Sequence, residues 1–507
     1  MALSGSRRFL RNWISVGVLS ALGVGAGVAA QTTMAWRFGT SGEVDAFYVA
    51  FLLVTYFPLV YQSAVADPFV PAYLKAEEPR RFAAAILALT LLTGGLAAIA
   101  LIVLRRVAVA WTSPGFSGVQ KAGAQRDVVV LAAVSILYAA ALCLSSVLAA
   151  QGRFSTARAA LMIVPAAQSI GIALGSQRWG ISALIWSTAA GYAGYVMTVW
   201  VAAGFINPFQ ARLRDLRSPG LRMMLVVGAP MTVTIAAGAL HAFIDRATVS
   251  RLALGSISVL AYAEKLNNVF VAVFLVPLTL VALPHLAAAV DRSEFVEVFL
   301  TNVRVAMLVF VPVAVCAGAL SLPLVDIALR RGSFSQHDAT RVSAAFAAYM
   351  LGIPFYAVAV LTGRAFVASG KTWILAVVAP FALLLKFGLN SLLLPRFDIV
   401  GAPLATSFGY VIFSGVTLAL LLKRAELRKL SRELRWCLVV VASAASGWML
   451  MRPVAANYVP SFTFFRRAAI VGVAGMTFTA VYCALVSSYG YLLRRFARSE
   501  RSRDIRD

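Results

Sequence analysis

Residues 245–284 read DRATVSRLALGSISVLAYAEKLNNVFVAVFLVPLTLVALP, and they decide the fold of this chain. An acid-base pair, Asp245 and Arg246, ends one apolar run, and a second pair, Glu264 and Lys265, lies in the first half of the next run. Ionisable groups cost about 2.5–3.5 kcal/mol each at membrane depth, so they usually face a protein interior or a wet cavity. The stretch therefore predicts a helical hairpin that borders a charged, water-accessible chamber inside a membrane protein.

The composition of the whole chain supports this class. Of its 507 residues, 61% are hydrophobic and 13% are charged, whereas a soluble chain carries about 25% charged residues. A spanning helix needs about 20 mostly apolar residues. The apolar runs, about 14 in number, lie roughly at 13–36, 45–67, 82–104, 128–150, 157–176, 181–203, 222–244, 257–284, 304–326, 340–364, 373–394, 400–422, 436–451 and 467–493. We expect an all-α polytopic membrane protein, because a barrel strand would alternate over about 10 residues instead.

The basic residues predict the orientation of the chain. It has 45 Lys and Arg against 20 Asp and Glu, a formal net charge of +25. Dense basic clusters at 7–11, 212–222, 423–435 and 494–506 lie on one side of the membrane if both termini are cytoplasmic, which is the positive-inside bias. We interpret these clusters as topology signals and lipid headgroup contacts, not as a nucleic-acid surface. The first run lacks a small-residue cleavage site, so we expect an uncleaved span.

The sequence carries no pattern typical of a metal site, a cofactor site or an enzyme. The four Cys and three His residues are scattered without paired spacing, which predicts no disulfide framework and no metal site. There is no phosphate-cradling GxxxxGK[ST] loop and no credible pairing of a nucleophile with a base. The sequence therefore predicts a transporter that is not an enzyme and that needs no cofactor.

An internal repeat organises the apolar runs. Gly39 recurs as Gly255, and Gly152 recurs as Gly370. These matches, with others in the same order, share an offset of about 213–218 residues across six runs. Because six is even, both copies start on the same side of the membrane. We therefore expect two lobes related by an axis along the membrane normal, as in many transporters.

The repeat predicts three parts of the chain. Residues 1–210 form an N-lobe with helices 1–6, and residues 211–425 form a C-lobe with helices 7–12. Residues 426–507 contain helices 13 and 14 and a basic tail. The basic segment 423–435 has the composition of a short amphipathic surface helix. Within helix 2, Pro58 frees a backbone carbonyl, so we predict a hinge there.

Charged and polar side chains within or at the ends of the apolar runs are the candidate substrate-binding groups. We expect them to face a central chamber, where cations would attract the phosphates of a lipid-linked precursor. The candidates are Lys265, Arg246, Arg37, Lys386, Asp45, Glu264, Asp245 and Asn390.

Five of these candidates have a second interpretation. Asp45 either caps helix 2 or faces the chamber. Asp245 and Arg246 form either an interfacial pair or part of the chamber. Glu264 and Lys265 point about 100° apart on a helix, so one lines the chamber and the other meets a neighbouring helix.

The ordered motifs RFGTSGEVDAFYVAF, FVPAYL, IDRATVSRLALGSISVLAYAEKL, LPHL, RRGSFSQHDA and GAPLATSFGY resemble the MviN/MurJ-type lipid II flippases. That family belongs to the multidrug/oligosaccharidyl-lipid/polysaccharide exporter superfamily, and the resemblance covers about 30–425. It implies fourteen helices in two six-helix lobes, with a C-terminal pair whose groove holds an isoprenoid tail. It also implies alternating-access transfer of a polyprenyl-pyrophosphate-linked saccharide across a bacterial inner membrane. Enzymes of cell-wall or polysaccharide synthesis are the implied partners.

The chain departs from the family pattern at the expected anion site. Helix 1 of the family carries arginines where this chain reads LSALGVGAGVAAQTT, with Val24 and Ala30 at those positions. Lys265 and Arg37 remain as basic groups, with Arg246 and Lys386 as further members. This loss favours, as an alternative, a flippase for an exopolysaccharide or O-antigen oligosaccharide. We also hypothesise that Lys386 takes the place of a coupling cation.

Two further functions compete with a flippase. A drug or metabolite antiporter of the same superfamily predicts an acidic cavity, and the basic intramembrane set argues against it. A scaffold without transport activity would recruit a synthesis complex through segment 423–435.

Overall fold

In a computed structural model, the chain is described over residues 2–211, 219–289, 294–371, 373–422, 426, 440–449 and 464–503. These residues form α-helices with short π and 3-10 segments, and no strand occurs among them. The α-helices are α1 Ala2–Phe38, α2 Gly42–Tyr61, α3 Asp67–Leu74, α4 Pro79–Thr112, α5 Gly118–Ala150, α6 Phe154–Leu161, α7 Ile163–Trp179, α8 Ser182–Ala202, α9 Pro219–Val249, α10 Ser256–Phe270, α11 Val276–Ala289, α12 Phe295–Ala319, α13 Ser321–Ala328, α14 Gln336–Ala368, α15 Trp373–Phe397, α16 Gly401–Leu421, α17 Val440–Met449 and α18 Phe464–Arg503.

Apolar composition makes many of these helices fit for a membrane. Within the described ranges, nine helical stretches are long and apolar enough to cross one. The prediction of an all-α polytopic membrane protein is therefore confirmed. The count of about 14 spans stays a prediction.

The chain separates into two compact units. Unit 1 consists of Met1–Tyr262, Leu329–Asp338 and Thr372–Ala402. Unit 2 consists of Ala263–Ala328, Ala339–Lys371 and Pro403–Asp507. The lobe boundaries expected from the repeat remain a prediction.

In unit 1, α5 packs against α2, α4 and α8, and α7 packs against α8. Glycine allows the closest of these approaches, because small residues let helix backbones meet in a membrane. A Cβ added to Gly171 of α7 would lie 2.2 Å from the Cβ of Ser187 on α8. A Cβ added to Gly191 of α8 would lie 3.0 Å from the Cα of Val164 on α7. The α7–α8 pair therefore depends on glycine from both helices.

Proline leaves backbone carbonyls without a helical partner, and the neighbouring helices supply one. Pro58 of α2 has no amide to donate to the carbonyl four residues earlier. That carbonyl, on Val54, accepts a hydrogen bond from Ser135 Oγ of α5 at 2.6 Å. In unit 2, Pro312 of α12 likewise leaves the carbonyl of Leu308 without a helical amide partner. That carbonyl accepts a hydrogen bond from Tyr482 Oη of α18 at 2.9 Å. Helix-helix hydrogen bonds thus satisfy the polar backbone where proline interrupts it. The hinge at Pro58 remains a prediction.

The two copies of the proposed repeat carry the same local features. α2 continues through a π-helical segment, Gln62–Ala66, into α3, and α10 continues through the π-helical Val271–Leu275 into α11. The paired glycines share the left-handed backbone region, with φ of 57° at Gly39 and 83° at Gly255. The second pair shows φ of 75° at Gly152 and 68° at Gly370. These correspondences are what a duplicated helical unit would produce.

The last described helix packs within unit 2. Phe478 and Tyr482 of α18 join a buried apolar cluster with Val440 and Ala444 of α17 and Val311 of α12. The predicted amphipathic surface helix at 423–435 lies outside the described residues, apart from position 426.

Candidate functional site

A buried ion pair joins two long helices of unit 1. α9 packs against α15, and Lys386 Nζ of α15 lies 2.8 Å from Asp245 Oδ1 of α9. Lys386 is 3% exposed and Asp245 is 7% exposed. Burying two charges is favourable only when the geometry is good and further hydrogen bonds satisfy both groups. Such a bond is present, because Lys386 Nζ also donates to the carbonyl of Ala402 at 3.1 Å.

Asn390 extends this pair into a network. Its Nδ2 donates to Asp245 Oδ1 at 2.8 Å and to Thr248 Oγ1 at 3.0 Å. Asn390 lies one turn after Lys386 and Thr248 lies nearly one turn after Asp245, so each pair shares a helix face. The side chain of Asn390 is fully buried. Among the described atoms, its Oδ1 has no hydrogen-bond partner. We call these four residues, with the carbonyl of Ala402, the α9–α15 network.

The network changes the interpretation of Lys386. Lys386 was expected to offer a positive charge to a substrate, but its ammonium is buried and paired with a carboxylate. The geometry therefore favours a role for Lys386 inside the protein. Arg246 is also buried, at 7% exposure, next to Asp245 in the chain.

Asp45 caps a helix other than the one expected. The start of α2 is capped by Ser41, whose Oγ accepts from Val44 N. Asp45 Oδ2 accepts from Gly255 N at 2.8 Å, and Asp45 Oδ1 accepts from Ser258 N at 2.7 Å and from Ser258 Oγ. These two amides lie at the N-terminus of α10, where free amides and the helix dipole favour a negative charge. Predicting Asp45 as the cap of helix 2 was wrong.

The residue at the start of α10 explains why Asp45 caps this helix. Its N-cap position is Gly255, which has no side chain to bind the amide of Ser258. A cap normally supplies that oxygen from its own side chain. Here the oxygen comes from Asp45, which is only 2% exposed.

Three turns of unit 1 meet around this cap, and we call the region the turn junction (residues 39–45, 255–262 and 332–338). Tyr262 Oη donates to the carbonyl of Gly39 at 3.0 Å. A Cβ added to Gly39 would lie 2.7 Å from the carbonyl oxygen of Ser333. Asp338 accepts from Ser335 N at 2.9 Å and from Thr40 Oγ1. The junction is therefore held mainly by hydrogen bonds to backbone groups.

The remaining candidates lie in different surroundings. Arg37 is partly buried, and its Nε donates to Ser176 Oγ of α7 at 2.7 Å. Lys265 is exposed and Glu264 is partly exposed, and both belong to unit 2. A cavity shared by Lys265, Arg37 and Lys386 remains a prediction.

Several residues of these sites were not among the candidates, among them Thr248, Ser258 and Ala402. Thr248 was within reach of sequence analysis, since it lies three residues after Asp245 on the same helix face. Ser258 contributes its backbone amide in addition to its side chain, and Ala402 contributes its backbone carbonyl. Residue type alone gives no signal for such groups.

Comparison of the sequence with known proteins identifies a family that matches this chain. The model of the family described as "Lipid II flippase MurJ" matches residues 34–469. The lipid II flippase MurJ of Burkholderia cenocepacia is 26% identical over 301 residues, which are 58% of this chain and 57% of that protein. The probable lipid II flippase MurJ of Rickettsia prowazekii is 24% identical over 192 residues, which are 37% of this chain and 38% of that protein. Each match thus spans less than two thirds of the relative's length.

A solved structure shows the same fold. It is a lipid II flippase MurJ in an inward closed conformation, with a TM-score of 0.75 and 19% identity, and the match covers 92% of this chain and 98% of that one. The family model covers most of the sequence. The chain therefore belongs to the MurJ lipid II flippase family.

Proposed function

We propose that this protein moves lipid II, a polyprenyl-pyrophosphate-linked peptidoglycan precursor, from the inner to the outer leaflet by alternating access. The family match over residues 34–469 is the observation that carries the proposal. The protein acts as a transporter and not as an enzyme. It lies in a bacterial inner membrane with both termini in the cytoplasm, and enzymes of cell-wall synthesis are its partners.

The turn junction supports alternating access. It joins α2 of the expected N-lobe to the start of α10 of the expected C-lobe. The joining groups are a carboxylate and backbone amides, which water can satisfy equally when the contact opens. A gate of this kind exchanges protein hydrogen bonds for water hydrogen bonds, so opening has a small net cost. The Asp45 contact is our candidate for one gate of the transport cycle.

The basic residues support an anionic headgroup. Lys265 and Arg37 are at least partly exposed. A lysine ammonium acts as a point charge toward phosphate, and an arginine binds it through two parallel bonds. We propose that these two residues contact the pyrophosphate, with Arg246, Glu264 and the α9–α15 network supporting the site.

A second candidate function rests on Val24 and Ala30. They stand where the family resemblance expects arginines in helix 1. A cavity with fewer cations suits a lipid-linked oligosaccharide without a charged peptide, as in exopolysaccharide or O-antigen export. The distinction is in the cargo, and the transport cycle is the same.

Complementation of cells depleted of their own lipid II flippase tests both candidates. We expect the native chain to restore growth and Lys265→Ala to fail. Lys371→Ala is the matched control, because Lys371 is another exposed lysine of unit 2. Equal rescue by Lys265→Ala would remove Lys265 from the mechanism. No rescue by a well-expressed native chain, with rescue of an oligosaccharide-export mutant, would favour the second candidate.

A further inference from the structure

We propose that Asp127 of α5 is a proton-binding site, and that the proton it holds keeps residues 42–57 of α2 packed against α5. Asp127 is 2% exposed. It lies well past the first turn of α5, where the positive end of the helix dipole no longer stabilises a negative charge. A carboxylate in such a place is costly unless hydrogen bonds and an opposite charge compensate it.

The compensation at Asp127 is poor. Nε and Nη2 of Arg126 both lie 3.4 Å from the same oxygen, Oδ1, whereas charge-assisted hydrogen bonds are about 2.7–2.9 Å long. The Arg126 side chain is 64% exposed, so water screens its charge. Among the described residues, no other hydrogen bond reaches the Asp127 carboxyl group. The pair thus differs from Lys386 and Asp245, which are both buried and lie 2.8 Å apart.

The other charge that acts on Asp127 is also negative. Among the described groups it is Glu43, in the first turn of α2, and two carboxylates without a cation between them repel each other. The helices α4 and α8 also pack against α5, but their described residues bring no charged group to this carboxyl. A neutral carboxylic acid avoids both the desolvation of a charge and this repulsion. The surroundings therefore select the protonated form.

Asp127 faces the first part of α2. Gly123 lies one turn earlier on α5, and a Cβ added there would lie 3.8 Å from the Cβ of Ala46 on α2. Residues four apart share a helix face, so Asp127 is on the face that meets α2. Ionisation of Asp127 would bring water and a repulsion from Glu43 into this contact. The part of α2 that precedes Pro58 would then separate from α5, which makes the proton a switch for that segment.

The pH dependence of stability separates this proposal from an ion pair. A carboxyl that holds its proton more tightly in the folded than in the unfolded chain stabilises the fold at low pH, and this contribution is lost as the pH rises. Asp127→Asn imitates the neutral acid at every pH. We expect purified full-length Asp127→Asn to unfold with the native midpoint at about pH 5, and about 3 °C or more above it at about pH 8. In the control Glu77→Gln, at an exposed acid, the difference from the native protein is the same at both pH values.

An introduced disulfide measures the contact between α2 and α5 itself. The 3.8 Å between the Cβ of Ala46 and a Cβ at Gly123 matches the Cβ separation of an ordinary disulfide. In the double variant Ala46→Cys with Gly123→Cys, we expect oxidation at about pH 8 to give about twofold more cross-linked protein when Asp127→Asn is also present. Both preparations are oxidised at the same pH, so the chemistry of the thiols is equal. Each single-cysteine variant gives the background.

Three results would overturn the proposal. The first is a midpoint of Asp127→Asn below that of the native protein at about pH 8, which an ion pair with Arg126 requires. The second is a difference between the two proteins that is the same at both pH values, and the third is an equal yield of disulfide with and without Asp127→Asn. Failure of Asp127→Asn to fold would also overturn it, because a neutral side chain of the same shape satisfies the proposed site. None of these measurements depends on which lipid the protein transports.

Discussion

Asp45 on α2 accepts a hydrogen bond from the amide of Ser258 on α10 at 2.7 Å, so one helix supplies the N-terminal cap of another. The two residues are separated by most of the expected N-lobe in the chain. The cap therefore couples the stability of α10 to the position of α2.

Substitution of Asp45 tests this coupling. Asp45→Asn keeps the shape but removes the charge that favours a helix N-terminus, and loss of a cap costs about 0.5–2 kcal/mol. We expect a lower unfolding temperature in detergent and impaired complementation. Glu43→Gln is the control, since Glu43 is an exposed acid in the first turn of α2. Identical unfolding curves for the two variants would contradict a cap at Asp45.

Glycine at position 255 is required for two separable reasons. Its φ of 83° is unfavourable for a side chain, and an added Cβ would lie 2.6 Å from the carbonyl oxygen of Thr40. Gly152 has a φ of 75° but no atom within 4 Å of an added Cβ. We expect Gly152→Ala to lose about 1 kcal/mol from the left-handed backbone alone. Gly255→Ala loses more than this, because it adds a clash in the turn junction. Thermal unfolding of both variants measures the difference, and a larger loss at Gly152 would refute the packing account.

Because Pro58 leaves the carbonyl of Val54 without a helical partner, we expect Ser135→Ala to lower the stability of the fold. This substitution removes the donor to Val54 and leaves a buried carbonyl oxygen without a side-chain partner. Hydrogen bonds between membrane helices contribute about 0.6–2 kcal/mol each, so we expect a loss within that range. Ser446→Ala is the control, since Ser446 is exposed and donates only within its own helix. The two variants are compared by thermal unfolding, and equal midpoints would count against this role for Ser135.

Asn390 is expected to matter more than its neighbour on the same helix. Asn390→Ala leaves Asp245 and Thr248 each without one hydrogen bond in a buried place, and an unsatisfied buried group costs about 1–3 kcal/mol. Ser391→Ala, at an exposed position, is expected to unfold as the native protein does. The comparison is again an unfolding curve. A native-like curve for Asn390→Ala would show that the α9–α15 network adds nothing to stability.

Much of the fold follows from the sequence because hydropathy is a local property. Apolar runs of spanning length predicted an all-α membrane protein. Gly39 recurs in the sequence as Gly255, and both glycines have a left-handed φ. Lys386 and Asn390 lie four residues apart, so they share a helix face, and both belong to the α9–α15 network.

The partners of the charged groups did not follow from the sequence. Lys386 and Asp245 are far apart in the chain, and helix periodicity does not say which helices are neighbours. The same limit applies to Asp45, whose position near the start of α2 predicted a local cap. The glycine at the start of α10 left a distant side chain to provide that oxygen.

Transport of lipid II by the purified full-length protein tests the central claim most directly. In liposomes that contain fluorescent lipid II, an impermeant quencher added outside reports how much lipid reaches the outer leaflet. The account predicts a protein-dependent increase in accessible lipid II that is reduced in Lys265→Ala and retained in Lys371→Ala. Accessibility equal to that of protein-free liposomes, from a preparation that unfolds cooperatively, would contradict it.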